Sequence, residues 1–190
     1  MKQIVTEIRD NYEHYSHLVK NNKKVLNSPI IIEDKNPYWE VGSTELLHLS
    51  LGEKLKLDVQ NCKREKKYSI QLFCTNISNV PIFRFDSAGP RHRNKGVGGI
   101  TLEVIDTPHF HVYSEQGREM AYQTEILKNP KECEAIINDI DFGISHFCFE
   151  SKSFLSETMD VPVCGKVQQA LDFGIPVEVD YNKINFDDEI

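Results

Sequence analysis

The sequence predicts an α+β fold: an N-terminal helix, a mainly antiparallel sheet of five or six strands, and C-terminal helices packed on one face. Three observations carry this. Ile4, Ile8, Tyr12, Tyr15 and Val19 recur near the start at the spacing of one helical stripe. Between residues 47 and 113, apolar and polar residues alternate in short runs, the period of strands that bury one face. From Pro130 onward, Cys133, Ile136, Ile137 and Ile140 return to spacings of three and four. A chain of 190 residues fits one domain with a substantial core.

In chain order, residues 2–25 read as the first helix. His14 and His17 form an HxxH pair within it, but a rotation of about 100° per residue turns both off the apolar stripe and into water. The sheet is expected over about 29–115. Pro29 and Pro37 bracket the apolar run Ile30 to Ile32, an extended segment. Leu47, Leu49 and Leu51, a break at Gly52, then Leu55, Leu57 and Val59 read as a hairpin. That phase makes His48 a surface residue. Tyr68, Ile70, Leu72 and Cys74 form the next run, followed by 82–86, by Ile100, Leu102 and Val104, and by 108–113. Gly96 to Gly99 reads as a flexible turn before a strand. The C-terminal part, about 130–190, reads as helical, with a short helix near Val167 to Leu171, a helix start at Cys164-Gly165-Lys166, and a frayed acidic end.

Composition narrows the function classes. No run of about 18 apolar residues occurs, and the N-terminus is too charged for the apolar part of a signal peptide, which implies a cytoplasmic protein with no membrane partner. Five cysteines at irregular spacing, without a CxxC, signal neither a disulfide framework nor a cysteine zinc site. A formal charge of −7 argues against general nucleic-acid binding, which needs Lys and Arg on phosphates. Two local basic patches remain: residues 63–67, read as a solvated turn, and Arg91-His92-Arg93-Asn94-Lys95. Walker, GxGxxG and GxSxG motifs are absent from the sequence.

The chemistry-bearing stretch is Thr107 to Glu115, TPHFHVYSE. On a strand, Phe110 and Val112 share one face while His109, His111 and Tyr113 share the other. With the apolar pair in the core, the histidines face away from it, onto open solvent or the floor of a cleft. Upstream, Phe83-Arg84-Phe85-Asp86 alternates aromatic inward and charge outward, and leads into a Gly-Pro turn carrying His92. Neighbouring strands at 82–86, 100–105 and 108–113 would gather Arg84, Asp86, His92, His109, His111 and Tyr113 on one face.

The same residues carry a resemblance. Arg84 and Asp86, then Gly89-Pro90-Arg91-His92-Arg93-Asn94, then Pro108-His109-Phe110-His111-Val112-Tyr113-Ser114-Glu115, and then Met120-Ala121-Tyr122 resemble the signature of a bacterial domain family of unknown activity. That signature reads R-x-D-x-x-G-P-x-H-x-N, then P-H-x-H-x-Y-x-E, and its members occur in mobile elements and near defence genes. The resemblance covers about residues 67–150. This chain departs from it at Arg91, where the family has a second proline, after Asn94, where no Pro-Asp-Gly follows, and at Gln116, which intervenes before Gly117. The resemblance implies a site at the histidines without naming its reaction.

Three functions follow from these residues. The first is a metal-independent phosphodiesterase acting on RNA, toxin-like or defence-like and without cofactor. His109, His111 and His92 would exchange protons near neutral pH, while Arg84, Arg91, Arg93, Asn94 and Tyr113 would bind the substrate and stabilise charge on its phosphate. The second is a metal-dependent hydrolase in which His109 and His111 chelate zinc or manganese, with His92, Asp86 or Glu115 completing the shell. His109, His111 and Glu115 resemble the middle of the cupin metal motif, but Glu103 and Tyr122 stand where its flanking glycines belong. The third is a non-enzymatic binding protein, antitoxin-like or phage-encoded, whose exposed Arg, His and Tyr recognise a protein or a nucleotide.

Overall fold

Burial of one aromatic face on each of two central strands organises the chain. The computed structural model describes residues 4–20, 24–96, 100–155 and 165–166. Helices α1 (Thr6–Asp10) and α2 (Tyr12–Lys20) are followed by strands β1 (Lys24–Leu26), β2 (Ile31–Asn36), β3 (Trp39–His48), β4 (Glu53–Cys62), β5 (Lys67–Phe73) and β6 (Phe83–Asp86). A two-stranded hairpin, β7 (His92–Lys95) with β8 (Thr101–Ile105), precedes β9 (His109–Tyr113) and β10 (Glu119–Tyr122). Helices α3 (Glu125–Lys128), α4 (Pro130–Asn138) and α5 (Ile140–Glu150) and the short strands β11 (Ser153–Phe154) and β12 (Gly165–Lys166) complete it.

The main sheet has ten strands among the described residues, in the order β10-β9-β6-β5-β4-β3-β1-β11, with β2 beside β3 and β12 beside β2. It is antiparallel except where β1 meets β11 and β2 meets β12. Its strand count exceeds the five or six expected because β1, β10, β11 and β12 span two to four residues. Runs that short show no period of two.

Helices α4 and α5 cover the aromatic face. Phe147 of α5 lies 5.2 Å from the Phe83 ring, Phe83 and Phe110 stack at 5.4 Å, and Phe85 meets Phe110 at 4.9 Å. The Tyr68 hydroxyl donates to the Ile136 carbonyl at 2.5 Å, tying α4 to β5. Gly143 lets α5 approach: a Cβ there would stand 1.9 Å from the Tyr68 hydroxyl. Burial of each such phenylalanine contributes roughly 1.5–3 kcal/mol. At the other end of β9, the Tyr113 N–H donates to the Tyr15 hydroxyl oxygen of α2 at 2.7 Å.

Three expectations change. The single N-terminal helix over 2–25 is two helices that break at Asn11, whose side-chain amide donates to the Glu7 carbonyl at 2.9 Å. That local bond competes with continued helix, and Lys24–Leu26 is a strand. The 100–105 run pairs with β7 in a separate sheet and is not a neighbour of β6 or β9 in the main sheet, where those two pair directly. Ile100, Leu102 and Val104 are consequently exposed. In β3 the phase is the reverse of the one expected: Thr44, Leu46 and His48 are buried, while Leu47, Leu49 and Leu51 are exposed. The strand ends at His48, and Leu49 and Leu51 lie in the turn beyond it, so the alternating leucines run past the strand and do not report its phase. The hairpin itself forms, closed by Gly52 at φ +66°, a conformation that suits glycine.

The described helical part ends at Glu150; Gly165 and Lys166, expected to start a helix, form strand β12 beside β2 instead, and the expected helix near 167–171 and the acidic end lie outside the described residues. No described helix is long and apolar enough to cross a membrane. The basic stretch 63–67 is a turn and strand start, with Lys63 paired to Asp34 at 2.7 Å.

His48, Lys24 and Ser153 stand opposite one another on β3, β1 and β11 and are fully buried. Lys24 Nζ donates to the Ser151 carbonyl at 2.6 Å. Burial, with the charge of Lys152, pulls the Lys24 ammonium down from 10.5 to about 8. The native chain then releases this proton near pH 8 and the unfolded chain near its ordinary value. Between the two the unfolded state holds more protons, so stability rises with pH. The gain approaches about 3 kcal/mol over the whole interval. Chemical denaturation is expected to show stability increasing from about pH 8 toward pH 10, with that increase abolished in Lys24→Met. An identical pH profile in the variant would contradict the assignment.

Candidate metal centre

The face of β9 opposite the aromatic core carries His109, His111 and Tyr113. Register places Asp86 opposite His109 and Arg84 opposite His111 on β6, and Ala121 opposite His111 and Glu119 opposite Tyr113 on β10. Directly opposed residues share a face. One patch therefore holds two histidines, one arginine and two carboxylates.

The β7–β8 hairpin closes over this patch. His92 and Asn94 face inward and are buried, while Arg93 and Lys95 face out. Asn94 fixes the placement, since its Nδ2 donates to the Ala121 carbonyl at 2.8 Å and its Oδ1 accepts from the Ala121 N–H at 2.7 Å. The amide thus completes the outer edge of β10 as another strand would. Arg118 adds a second tie, donating to the Gly96 carbonyl at 2.7 Å. Two residues before Asn94, on the same side of β7, His92 meets the pair on β9. Ring centroids lie 4.6 Å apart for His109 and His111, 4.9 Å for His92 and His111, and 6.0 Å for His92 and His109. One ring nitrogen from each of the three lies within 4.8 Å of the others, and all three residues are 2–4% exposed.

Surrounding groups orient the rings. His109 Nδ1 lies 3.0 Å from the Asp106 carbonyl; a carbonyl only accepts, so Nδ1 carries the hydrogen and Nε2 keeps its lone pair. Burial, with the charges of His111 and Arg84, lowers the His109 pKa against the raising pull of Asp106 and Asp86. That shift favours the neutral imidazole, the form that ligates metals. His111 Nδ1 is 3.3 Å from Glu119 Oε1, at ion-pair distance without hydrogen-bond alignment. His111 Nε2 is 3.0 Å from both Arg84 Nη2 and Asp86 Oδ2. One nitrogen cannot accept from the guanidinium and donate to the carboxylate at once. Burial raises the Asp86 carboxyl, but the His111 hydrogen bond and the charges of Arg84, His111 and His109 outweigh it, so its pKa is lowered. Arg84 also pairs with Asp86 at 3.2 Å and Glu119 at 3.1 Å.

The candidate residues thus separate. His92, His109, His111, Arg84 and Asp86 converge. Arg91 pairs with Asp106 in solvent at 2.5 Å, and Arg93 points outward. Asn94 is committed to the β10 backbone instead of facing a substrate. Tyr113 is buried against Tyr15 at 5.9 Å, with its hydroxyl pKa pushed up to about 12 by burial and Glu119. Glu115 sits exposed in the β9–β10 turn, outside the donor cluster. Glu119 was not anticipated, although a hairpin through Gly117 puts it beside Tyr113 and two residues from Ala121.

The chain belongs to the family of unknown function DUF6978, whose model matches residues 11–142 and so spans every residue of this cluster. No curated protein and no solved structure matches.

Asn94→Ala leaves the buried Ala121 N–H and carbonyl without these partners, at an expected loss of about 2 kcal/mol. Hydrogen exchange read by NMR is expected to speed selectively at the Ala121 amide. Unchanged protection there would show that something else holds β7 on the sheet.

Proposed function

We propose that the protein is a metal-dependent hydrolase whose divalent ion is held by His92, His109 and His111. The observation that carries this reading is the convergence of three buried imidazole nitrogens within 4.8 Å of one another. Metal–nitrogen bonds of about 2.0–2.1 Å in a tetrahedral shell set nitrogens about 3.4 Å apart, so loading would draw the widest pair together by up to about 1.4 Å. An all-imidazole set suits zinc better than manganese. Three protein ligands are the number found in catalytic zinc sites, where the ion acts as a Lewis acid and acidifies a bound water to near neutrality.

The chain's own groups supply the rest. The Asp106 carbonyl holds His109 in the tautomer that presents Nε2, and Glu119 lies beside Nδ1 of His111. Such outer partners orient ligands. Asp86, kept ionised, is placed to accept a proton from water at the site. Arg84 stands ready for negative charge developing on a substrate.

Metal-free acid–base cleavage of RNA is the second reading, supported by the His111–Asp86 hydrogen bond at 3.0 Å. An acid and a base must stand on opposite sides of the scissile phosphate. These nitrogens instead converge toward one point, which favours an ion. Protein purified without chelator is expected to hold close to one zinc per chain by elemental mass spectrometry, lost in His109→Ala, and to hydrolyse bis(p-nitrophenyl) phosphate or RNA only while metal is bound. RNA cleavage that persists in EDTA would overturn the metal reading in favour of the second. Bound metal with no turnover of any ester would favour a non-enzymatic binding protein.

A further inference from the structure

We infer that loading of the histidine centre converts Arg84 into half of an oxyanion subsite, so that the substrate is a phosphate ester bridging the ion and the Arg84 guanidinium. This rests on the metal reading of the three histidines and goes beyond it by naming what the site binds.

Accessibility is the first support. His92, His109 and His111 are buried, whereas the side chains of Arg84, Asp86 and Glu119 are 28%, 26% and 20% exposed. The centre therefore meets water along the side occupied by Arg84 and the two carboxylates. A ligand arriving from solvent passes Arg84 before it reaches the histidines. Arg91 and Arg93 lie on the outside of the hairpin, so Arg84 is the arginine of the three expected phosphate binders that faces the cluster.

The second support is a donor that metal binding releases. Arg84 Nη2 stands 3.0 Å from His111 Nε2. A metal ion coordinated by Nε2 takes the lone pair to which that N–H would donate. An ion on that lone pair would take the place of the N–H, so loading would displace the guanidinium from Nε2 and leave this donor free beside the centre. Guanidinium groups bind phosphate oxygens with charge-assisted, often paired hydrogen bonds. Arg84 is also braced by Asp86 and Glu119, which keep it oriented while its inner donor changes partner.

The third support is charge. Without an ion, the carboxylates of Asp86 and Glu119 outnumber the guanidinium of Arg84, and the patch repels anions. A divalent cation reverses the balance to a single positive charge, equal and opposite to a phosphodiester. Anion binding should therefore depend on metal loading.

The experiment titrates inorganic phosphate, and acetate separately, into zinc-loaded and zinc-free protein by calorimetry, after zinc content has been measured. Zinc-loaded protein is expected to bind one phosphate per chain, more tightly than acetate, and zinc-free protein none. Arg84→Met with its zinc retained is expected to weaken phosphate binding at least tenfold, and Arg84→Lys, which keeps the charge but not the paired donors, by less. Circular dichroism checks that both variants fold. Equal phosphate affinity in wild type and zinc-retaining Arg84→Met would overturn the role of Arg84, as would preference for acetate or phosphate binding without zinc. If neither arginine variant folds, zinc-loaded wild type that binds no phosphate still overturns the subsite. Protein that takes up no zinc fails at the metal measurement, before any anion is added, and that result removes the underlying centre as well.

Discussion

The pairing of β6 with β9 is the constraint on which the rest depends. It sets Phe85 against Phe110 on one face and, by the alternation of side chains, Arg84 against His111 and Asp86 against His109 on the other. A slip of one residue would exchange the faces, driving charge into the aromatic core. Apolar packing under α5 therefore enforces the arrangement of polar groups above it. Phe110, with no exposed surface, anchors that register.

A single strand pair offers two histidines but not three. The third comes from a segment that leaves the sheet after β6, folds back as the β7–β8 hairpin and lies against the edge strand β10. An exposed sheet edge carries unpaired backbone groups, and Asn94 satisfies those of Ala121. The same contact that finishes the edge carries His92 inward. The small side chain of Ala121, opposite His111, sits beneath this crossing. Edge protection and site assembly are here one structural event.

Much of the site was legible in the sequence because its signals are local. Alternation in Phe83-Arg84-Phe85-Asp86 and in His109-Phe110-His111 determines which side chains face the core, and α5 covers the Phe110 face as the C-terminal helical spacing suggests. What lay hidden depends on long-range pairing. Ile100, Leu102 and Val104 alternate as a buried strand would, yet their partner is β7 and their outer face is exposed. Nothing in the neighbourhood of Asn94 says that its amide reaches Ala121, 27 residues on. The alternation of Leu47, Leu49 and Leu51 continues past the end of β3 into the turn, so it points His48 to water although it stands in the buried row with Lys24. Asn11, a residue with a competing local hydrogen bond, split what the apolar stripe presents as one helix.

The central claim is that His92, His109 and His111 share one ion. Crystals of zinc-loaded protein, with anomalous diffraction recorded on both sides of the zinc absorption edge, test it most directly. The account predicts one anomalous peak about 2.0–2.1 Å from a nitrogen of each of the three rings. A peak that engages only the two β9 histidines, or one lying elsewhere on the molecule, would contradict it.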